Sequence, residues 1–137
     1  MDLKDSVTIA TSGLNAQGKR MRVTAENLAN ANTTARTPDG EPFKRKTITF
    51  RSELDRATGV QRVKVDRIKP DAKAEFGRKY DPSHPAADAQ GYVKTPNVNA
   101  LSEVMDLREA QTSYEANLQV VRASRGMMSS TVDLLRE

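Results

Sequence analysis

Hydrophobic and polar residues alternate with helical periodicity at the N-terminal end of the chain. Apolar, small or uncharged side chains recur there at alternating steps of four and three, which is the spacing of one helix face. These positions are Leu3, Val7, Ala10, Leu14, Gln17, Met21, Thr24 and Leu28. The pattern predicts a helix from residue 2 to about residue 31. An amide-rich run from Asn27 ends it, as a simple helix stop or as a turn that sets how the chain leaves the helix.

A longer stripe with the same spacing runs from Val98 to Glu137 and is interrupted by two polar positions. We call each of these two stripes a seam. The members of the longer seam are Val104, Leu107, Gln111, Tyr114, Leu118, Val121, Arg125, Met128, Val132 and Leu135. A helix this long cannot bury an apolar stripe by itself, so we expect the two terminal helices to pack as a coiled coil. Asn99 is the predicted N-cap. The chain offers little else to cover these stripes, which favours burial against another copy or another protein.

The middle of the chain, residues 35–97, holds all six prolines and four of the seven glycines. Thr37 to Gly40 is a turn signal, and short alternating runs at residues 47–50 and 63–65 predict strands. Prolines bias residues 69–97 toward an extended arm, with a short strand at Tyr92. The predicted fold is therefore mainly α with a small β insertion. Its parts are an N-terminal helical segment (1–34), a middle domain (35–97) and a C-terminal helical segment (98–137).

Composition and charge narrow the classes of function. With 137 residues, 36% hydrophobic residues, 4% aromatic residues and no Trp, the chain has a thin core, typical of a helical assembly component. The net charge of +4 is uneven, because residues 32–97 carry fourteen Lys or Arg against nine Asp or Glu. Clusters at residues 19–22 and 44–46 would suit nucleic acid or another polyanion, although a solvated basic surface is the more common meaning.

The sequence contains little that could carry catalysis. It has no Cys, and its single His, His84, is flanked by prolines and lacks a second imidazole for a metal site. No phosphate-binding or nucleophile motif is present. We therefore predict no enzymatic activity, no cofactor and no metal. Apolar runs are too short for a membrane span, and the first residues lack the apolar core of a cleaved signal peptide.

Several runs resemble the bacterial flagellar rod and hook proteins, and together they span most of the chain. The middle and C-terminal runs are similar to those of the proximal-rod members. The runs are Ser12-Gly13-Leu14, Asn27-Leu28-Ala29-Asn30, Pro42-Phe43-Lys44-Arg45-Lys46, Tyr80 to Val93, Pro96-Asn97-Val98-Asn99, Glu103 to Leu107 and Tyr114-Glu115-Ala116-Asn117. Phe43, Lys44 and Leu107 depart mildly from the usual residues, and each keeps the size or charge expected there.

The resemblance implies a structural subunit that polymerises through its terminal helices into the rod of the flagellar basal body. That rod would be a periplasmic drive shaft that transmits motor torque and encloses the export channel. Implied partners are other copies of the chain, other rod proteins, the rod-base adaptor, the distal rod and the flagellar type III export apparatus, which exports the protein without a cleaved signal.

We expect the assembly interface to lie on the two seams and at the end of the first helix. Its predicted members are Leu3, Val7, Leu14, Met21, Leu28, Asn30, Val104, Leu107, Tyr114, Leu118, Val121, Met128, Val132 and Leu135. Two other functions stay open from the residues alone. A nucleic-acid-binding helical protein would bind in a salt-dependent way, and a secretion chaperone with helical ends would form a stable complex without polymerising.

Overall fold

The computed structural model of the protein describes residues 2–73 and 75–136. Two long helices enclose two antiparallel strand pairs along the sequence, which confirms the predicted mainly helical fold with a small β insertion. The elements in chain order are α1 (Leu3–Ala29), β1 (Lys46–Asp55), β2 (Val60–Pro70), β3 (Gly77–Tyr80), β4 (Tyr92–Thr95) and α2 (Ala100–Leu134).

The ends of both helices are set by local polar residues. At the start of α1 the backbone N–H of Asp2 donates to Asp5 Oδ2 at 3.1 Å. At its end the side-chain amide of Asn30 donates to the Glu26 carbonyl at 2.8 Å, and the backbone N–H of Asn30 donates to the same carbonyl at 3.1 Å. The predicted N-cap of α2 is confirmed, because Asn99 Oδ1 accepts the N–H of Ser102 at 3.2 Å.

The two helices pack antiparallel through small side chains. Asn27 near the end of α1 meets Glu103 at the start of α2, and Gly13 lies against Asn117 further along. A Cβ atom on Gly13 would sit 2.9 Å from the Asn117 side-chain amide, so the glycine permits this close approach. That the contact has coiled-coil geometry remains a prediction. Among the described residues, neither helix combines the length and apolarity needed to cross a membrane.

The core is built from small residues. The buried aliphatic side chains in the described part of the chain are all Ala or Val, and they are Ala10, Ala16, Val23, Val60, Ala86, Val93, Ala110 and Val121. Small side chains remove little apolar area from water, so each contributes modestly to stability. The thin core predicted from composition is thus confirmed.

A two-stranded hairpin lies along α1. β1 and β2 pair antiparallel, with a bulge between Thr49 and Phe50, and Gly59 turns the chain with φ of +70°. The backbone N–H of Val63 in β2 donates to the Ser12 hydroxyl of α1 at 3.1 Å. Strands were predicted at both places, although they extend further than the sequence runs indicated, because pairing continues past the alternating residues.

The Pro-rich tract differs from the extended arm that was predicted. β3 and β4 pair antiparallel within it, and the N–H of Asp81 donates to the carbonyl of Gly91 at 2.9 Å, which closes a loop between the strands. Gly91 has φ of +83°, and the rings of Tyr80 and Tyr92 meet edge to face with centroids 5.3 Å apart. The prolines do bias the chain away from helix, but strand pairing folds the tract back on itself.

We predict opposite effects for the same substitution at two glycines of α1. Gly13→Leu forces its side chain into Asn117, so it should lower the free energy of unfolding by about 1–3 kcal/mol. Gly18→Leu is the matched control, since nothing lies within 4 Å of its added Cβ. Removing a helical glycine there should raise stability by up to about 1 kcal/mol. Urea unfolding followed by circular dichroism measures both, and equal effects would contradict this packing.

Candidate functional site

The predicted assembly residues are covered to different degrees within one chain. Of the fourteen, only Val121 is buried, and three on α2 are exposed: Val104 by 39%, Val132 by 51% and Leu135 by 83%. The remaining ten are half-buried: Leu3, Val7, Leu14, Met21, Leu28, Asn30, Leu107, Tyr114, Leu118 and Met128. The seam therefore keeps much of its apolar surface available for contacts outside the chain.

Several of the residues buried between the two helices lie one position before the predicted seam residues. On α2 the buried residues are Val121, which was predicted, and Glu103, Ala110 and Ser124, each one residue before a predicted position. On α1 two predicted positions, Ala10 and Thr24, are buried, and the other buried residues, Ala16, Val23 and Asn27, each precede a predicted position by one residue. The helices approach along their small and polar side chains, because these allow closer backbone contact than the larger residues beside them. The larger residues are thereby left at the margins of the contact.

The last turns of α2 extend past the start of α1. Because Gly13 lies opposite Asn117 and both helices rise about 1.5 Å per residue, Leu3 lies opposite roughly residue 127. Beyond that point α2 continues to Leu134, with Leu134 75% exposed. An apolar helix end with no covering element in the described chain is an incomplete packing surface.

A polar cluster around the buried Asn27 and Glu103 joins the helices to the middle of the chain. We call it the polar junction, and its members are Asn27, Arg45, Lys46, Asn97 and Glu103. Glu103 is 1% exposed, and its carboxylate accepts from Arg45 Nε and, at 3.2 Å, from the side-chain amide of Asn27. A buried carboxylate is tolerated only where such donors replace its lost hydration.

The same cluster holds the backbone where the chain enters and leaves the middle segment. Asn27 pairs with the backbone of Lys46 in both directions, donating to its carbonyl at 2.9 Å and accepting its N–H at 2.8 Å. Asn97 Oδ1 accepts the N–H of Arg45 at 2.7 Å, and the Arg45 carbonyl accepts the N–H of Asp71 at 2.7 Å. The chain therefore passes this point after α1, after β2 and before α2.

Basic residues near the junction are paired with carboxylates. Arg20 of α1 reaches Asp106 and Glu109 of α2 at 3.5 and 3.3 Å. The basic cluster at residues 44–46 is also paired: Lys44 meets Glu41 at 2.7 Å, and Lys46 meets Glu26. These contacts neutralise much of the cluster that would have formed a nucleic-acid footprint.

His84 takes part in the loop between β3 and β4. Its Nδ1 accepts the N–H of Ala86 at 3.0 Å, so the proton of the neutral ring lies on Nε2, which donates to the Thr34 hydroxyl at 3.1 Å. The Nδ1 bond is internal to the loop, and the Nε2 bond ties the loop to Thr34 beyond the end of α1. The described residues contain no group of three His, Cys, Asp or Glu side chains able to hold a metal ion.

Sequence reasoning missed the polar junction as a site. The side chains that hold it come from four separate runs that carry the family resemblance, with Asn27, Arg45, Asn97 and Glu103 each in a different run. Only the folded chain places them together. One signal pointed this way, because the amide-rich end of the first helix allowed a specified turn. The chain turns at residues 30–32, where the N–H of Thr33 donates to the Asn30 carbonyl at 3.0 Å, and Asn27 then bonds to the backbone of Lys46.

Comparisons with known proteins support the resemblance to flagellar rod proteins. A family model described as "Flagella basal body rod protein" matches residues 8–35, and one described as "Flagellar basal body rod FlgEFG protein C-terminal" matches residues 89–134. The chain is similar to proteins named "Flagellar basal-body rod protein FlgC". It is 53% identical to the one from Agrobacterium fabrum, over 93% of this chain and 91% of that protein. Identity is 38% to those from Borreliella burgdorferi (99% of each chain) and Salmonella typhimurium (98% of each).

Acid should loosen the loop between β3 and β4 through Asp88. The backbone N–H of Tyr92 holds the pKa of this carboxyl below its ordinary value, helped by the N–H of Gln90 and the Arg78 guanidinium and opposed by lost hydration. A lowered folded pKa means that the contribution is complete above the ordinary value of about 3.9 and is lost as pH falls through the folded pKa. We expect the Gln90 and Tyr92 amide resonances to shift below about pH 4.

The Asp88→Asn variant is the control for this titration. Its side chain keeps an oxygen that accepts N–H bonds but has no proton to gain in this range. The two amide resonances should then stay constant through the same acid titration. A variant that titrates like the wild type would assign the change to another group.

Proposed function

The chain belongs to the family of flagellar basal-body rod proteins FlgC, and from this we propose that it is a subunit of the proximal rod. As a member it is a structural protein of the flagellar basal body that assembles with other rod proteins, and we propose no enzymatic activity for it. We propose further that it polymerises through its terminal helices into the periplasmic drive shaft, which transmits motor torque and encloses the export channel. Residues 1–34 and 98–137 would form its inner part and residues 35–97 its outer part.

The observation that carries the polymerisation proposal is the apolar surface left uncovered along α2. Val132, Leu134 and Leu135 are at least half exposed, beyond the reach of α1. Packing against a helix of a neighbouring subunit would bury this surface, in the same way that α1 covers the earlier part of α2. We propose that this helix end packs on a different patch of the next subunit, because such a heterologous contact could continue as an open helical polymer.

The partners proposed for this chain follow from that role. They are other copies of itself, neighbouring rod proteins, the adaptor at the rod base and the distal rod. Before assembly it would pass through the flagellar type III export apparatus without a cleaved signal peptide. The buried aliphatic residues of the described chain are only Ala and Val, so they contribute modestly to the free energy of unfolding, which suits passage through a narrow channel.

Mass spectrometry of purified hook–basal bodies tests the role directly. The bodies would be prepared from cells with and without this gene. We expect peptides of the chain in the wild-type bodies and bodies without a rod in the deletion strain. Intact rods that lack the chain would contradict the proposal.

The seam is tested by a charge at an exposed position. Val132→Asp should leave the melting temperature of the purified chain nearly unchanged, because the side chain is already half exposed. It should abolish swimming in soft agar, since a buried unpaired carboxylate in the assembled contact costs several kcal/mol.

Ser130→Asp is the matched control, with the same new side chain at an exposed position on the opposite side of the helix from Val132. It should retain swimming, and both variants should be produced in equal amounts. Normal swimming with Val132→Asp would remove this position from the assembly interface.

A further inference from the structure

Most of the β1–β2 hairpin is held by limited apolar contact. Four of its apolar side chains remain substantially exposed, Phe50 at 38%, Val63 at 43%, Ile68 at 41% and Leu54 at 54%, whereas Val60 at the start of β2 is buried. Along α1 the hairpin gains an exposed hydrogen bond from Val63 to Ser12. Contacts of this kind are too weak to define one orientation, because a partly solvated apolar face can slide or tilt at small cost.

The polar junction supplies directional contacts at the base of the hairpin. Glu103 is 1% exposed at the start of α2, whereas Arg45, which immediately precedes β1, is 29% exposed. Charge-assisted hydrogen bonds between such groups depend strongly on geometry. A tilt of the hairpin would withdraw Arg45 from Glu103 and leave a buried carboxylate without its cation.

We propose that Glu103 is a positioning residue that fixes the orientation of the β1–β2 hairpin relative to the helix pair. Its carboxylate selects the one arrangement in which Arg45 and Asn27 both donate to it. The role belongs to the single chain and does not require the proposed function. Within a rod, the same joint would hold the middle domain at a fixed angle to the inner helices.

A positioning role and a purely stabilising role of the ion pair predict different results when both charged residues are replaced. Removing one partner of a buried ion pair is strongly destabilising, whereas replacing both by apolar side chains of similar size is often neutral. A joint whose specificity comes from the ion pair therefore loses its fixed orientation in the double replacement while keeping its stability. An ion pair that serves only stability would leave the orientation unchanged.

Spin-label distances in the purified full-length chain test the proposal. The sequence has no Cys, so Arg56→Cys at the hairpin turn and Gln119→Cys on α2 place one label on each body. Both positions are exposed. The otherwise wild-type chain should give one narrow distance distribution by pulsed electron paramagnetic resonance.

The variants should differ in melting temperature and in the width of the distance distribution. Arg45→Leu alone, which strands the buried carboxylate, should lower the melting temperature by roughly 10 °C or more. Glu103→Leu with Arg45→Leu should return it to within about 5 °C of the wild type, yet with a broadened distance distribution. Glu103→Leu alone, which leaves Arg45 near Asp106 at 3.6 Å, should also broaden the distribution with unchanged helix content.

Glu109→Leu is the control for this series, because it removes an ion pair with Arg20 from the exposed surface of the same helix. Its distribution should stay narrow. A double variant as narrow as the wild type, or a wild-type distribution that is already broad, would overturn the positioning role of Glu103.

Discussion

The buried carboxylate of Glu103 needs hydrogen-bond donors, and these come from α1 and from the segment that precedes the hairpin. Glu103 and Asn27 are the largest fully buried side chains in the described structure, while the buried aliphatic residues are only Ala and Val. Small aliphatic side chains pack helices closely but specify geometry weakly. A polar pair in low dielectric specifies geometry strongly, because any misplacement leaves an unpaired group. The contacts of Glu103 with Arg45 and Asn27 therefore bring the base of the hairpin, the end of α1 and the start of α2 to one place.

The junction also gathers the chain at one place. Three backbone segments pass there, and side-chain amides of Asn27 and Asn97 bond to the backbone of the first of them. A middle segment inserted between two helices must leave and return without disturbing their packing. Fixing its entry and exit beside the start of α2 achieves this with a few hydrogen bonds, and it leaves the rest of α2 free for other contacts.

The charged residues at the start of α2 make contacts within the chain, whereas the apolar residues at its far end remain exposed. The acidic start of α2 faces Arg20 and Arg45 of the same chain, so much of the charge contrast between helix and middle segment is used internally. The apolar residues at the far end of α2 remain exposed. For a subunit of the FlgC family this division is coherent, since ion pairs define the protomer and apolar helix surface is available for assembly.

Local sequence determined the elements of the fold. Helical periodicity gave both terminal helices nearly to their ends, Asn99 capped α2 as expected, and turn residues together with alternation located both strands of the long hairpin. These features depend on neighbours a few residues apart, which the sequence displays directly. The family followed in the same way, because its characteristic runs are contiguous.

The sequence predicted part of the inward face of each helix, since Ala10, Thr24 and Val121 are buried, and the tertiary structure decided which neighbouring side chains join them. Heptad spacing placed the seam on the larger apolar residues, but Gly13 and Ala110 let the backbones approach one residue away from it. Pairing of β3 with β4 turned a Pro-rich tract into a closed loop. The polar junction was equally hidden, since Asn27, Arg45, Asn97 and Glu103 are distant in sequence. Burial is a property of the assembled chain, and only there does Glu103 become a carboxylate that requires partners.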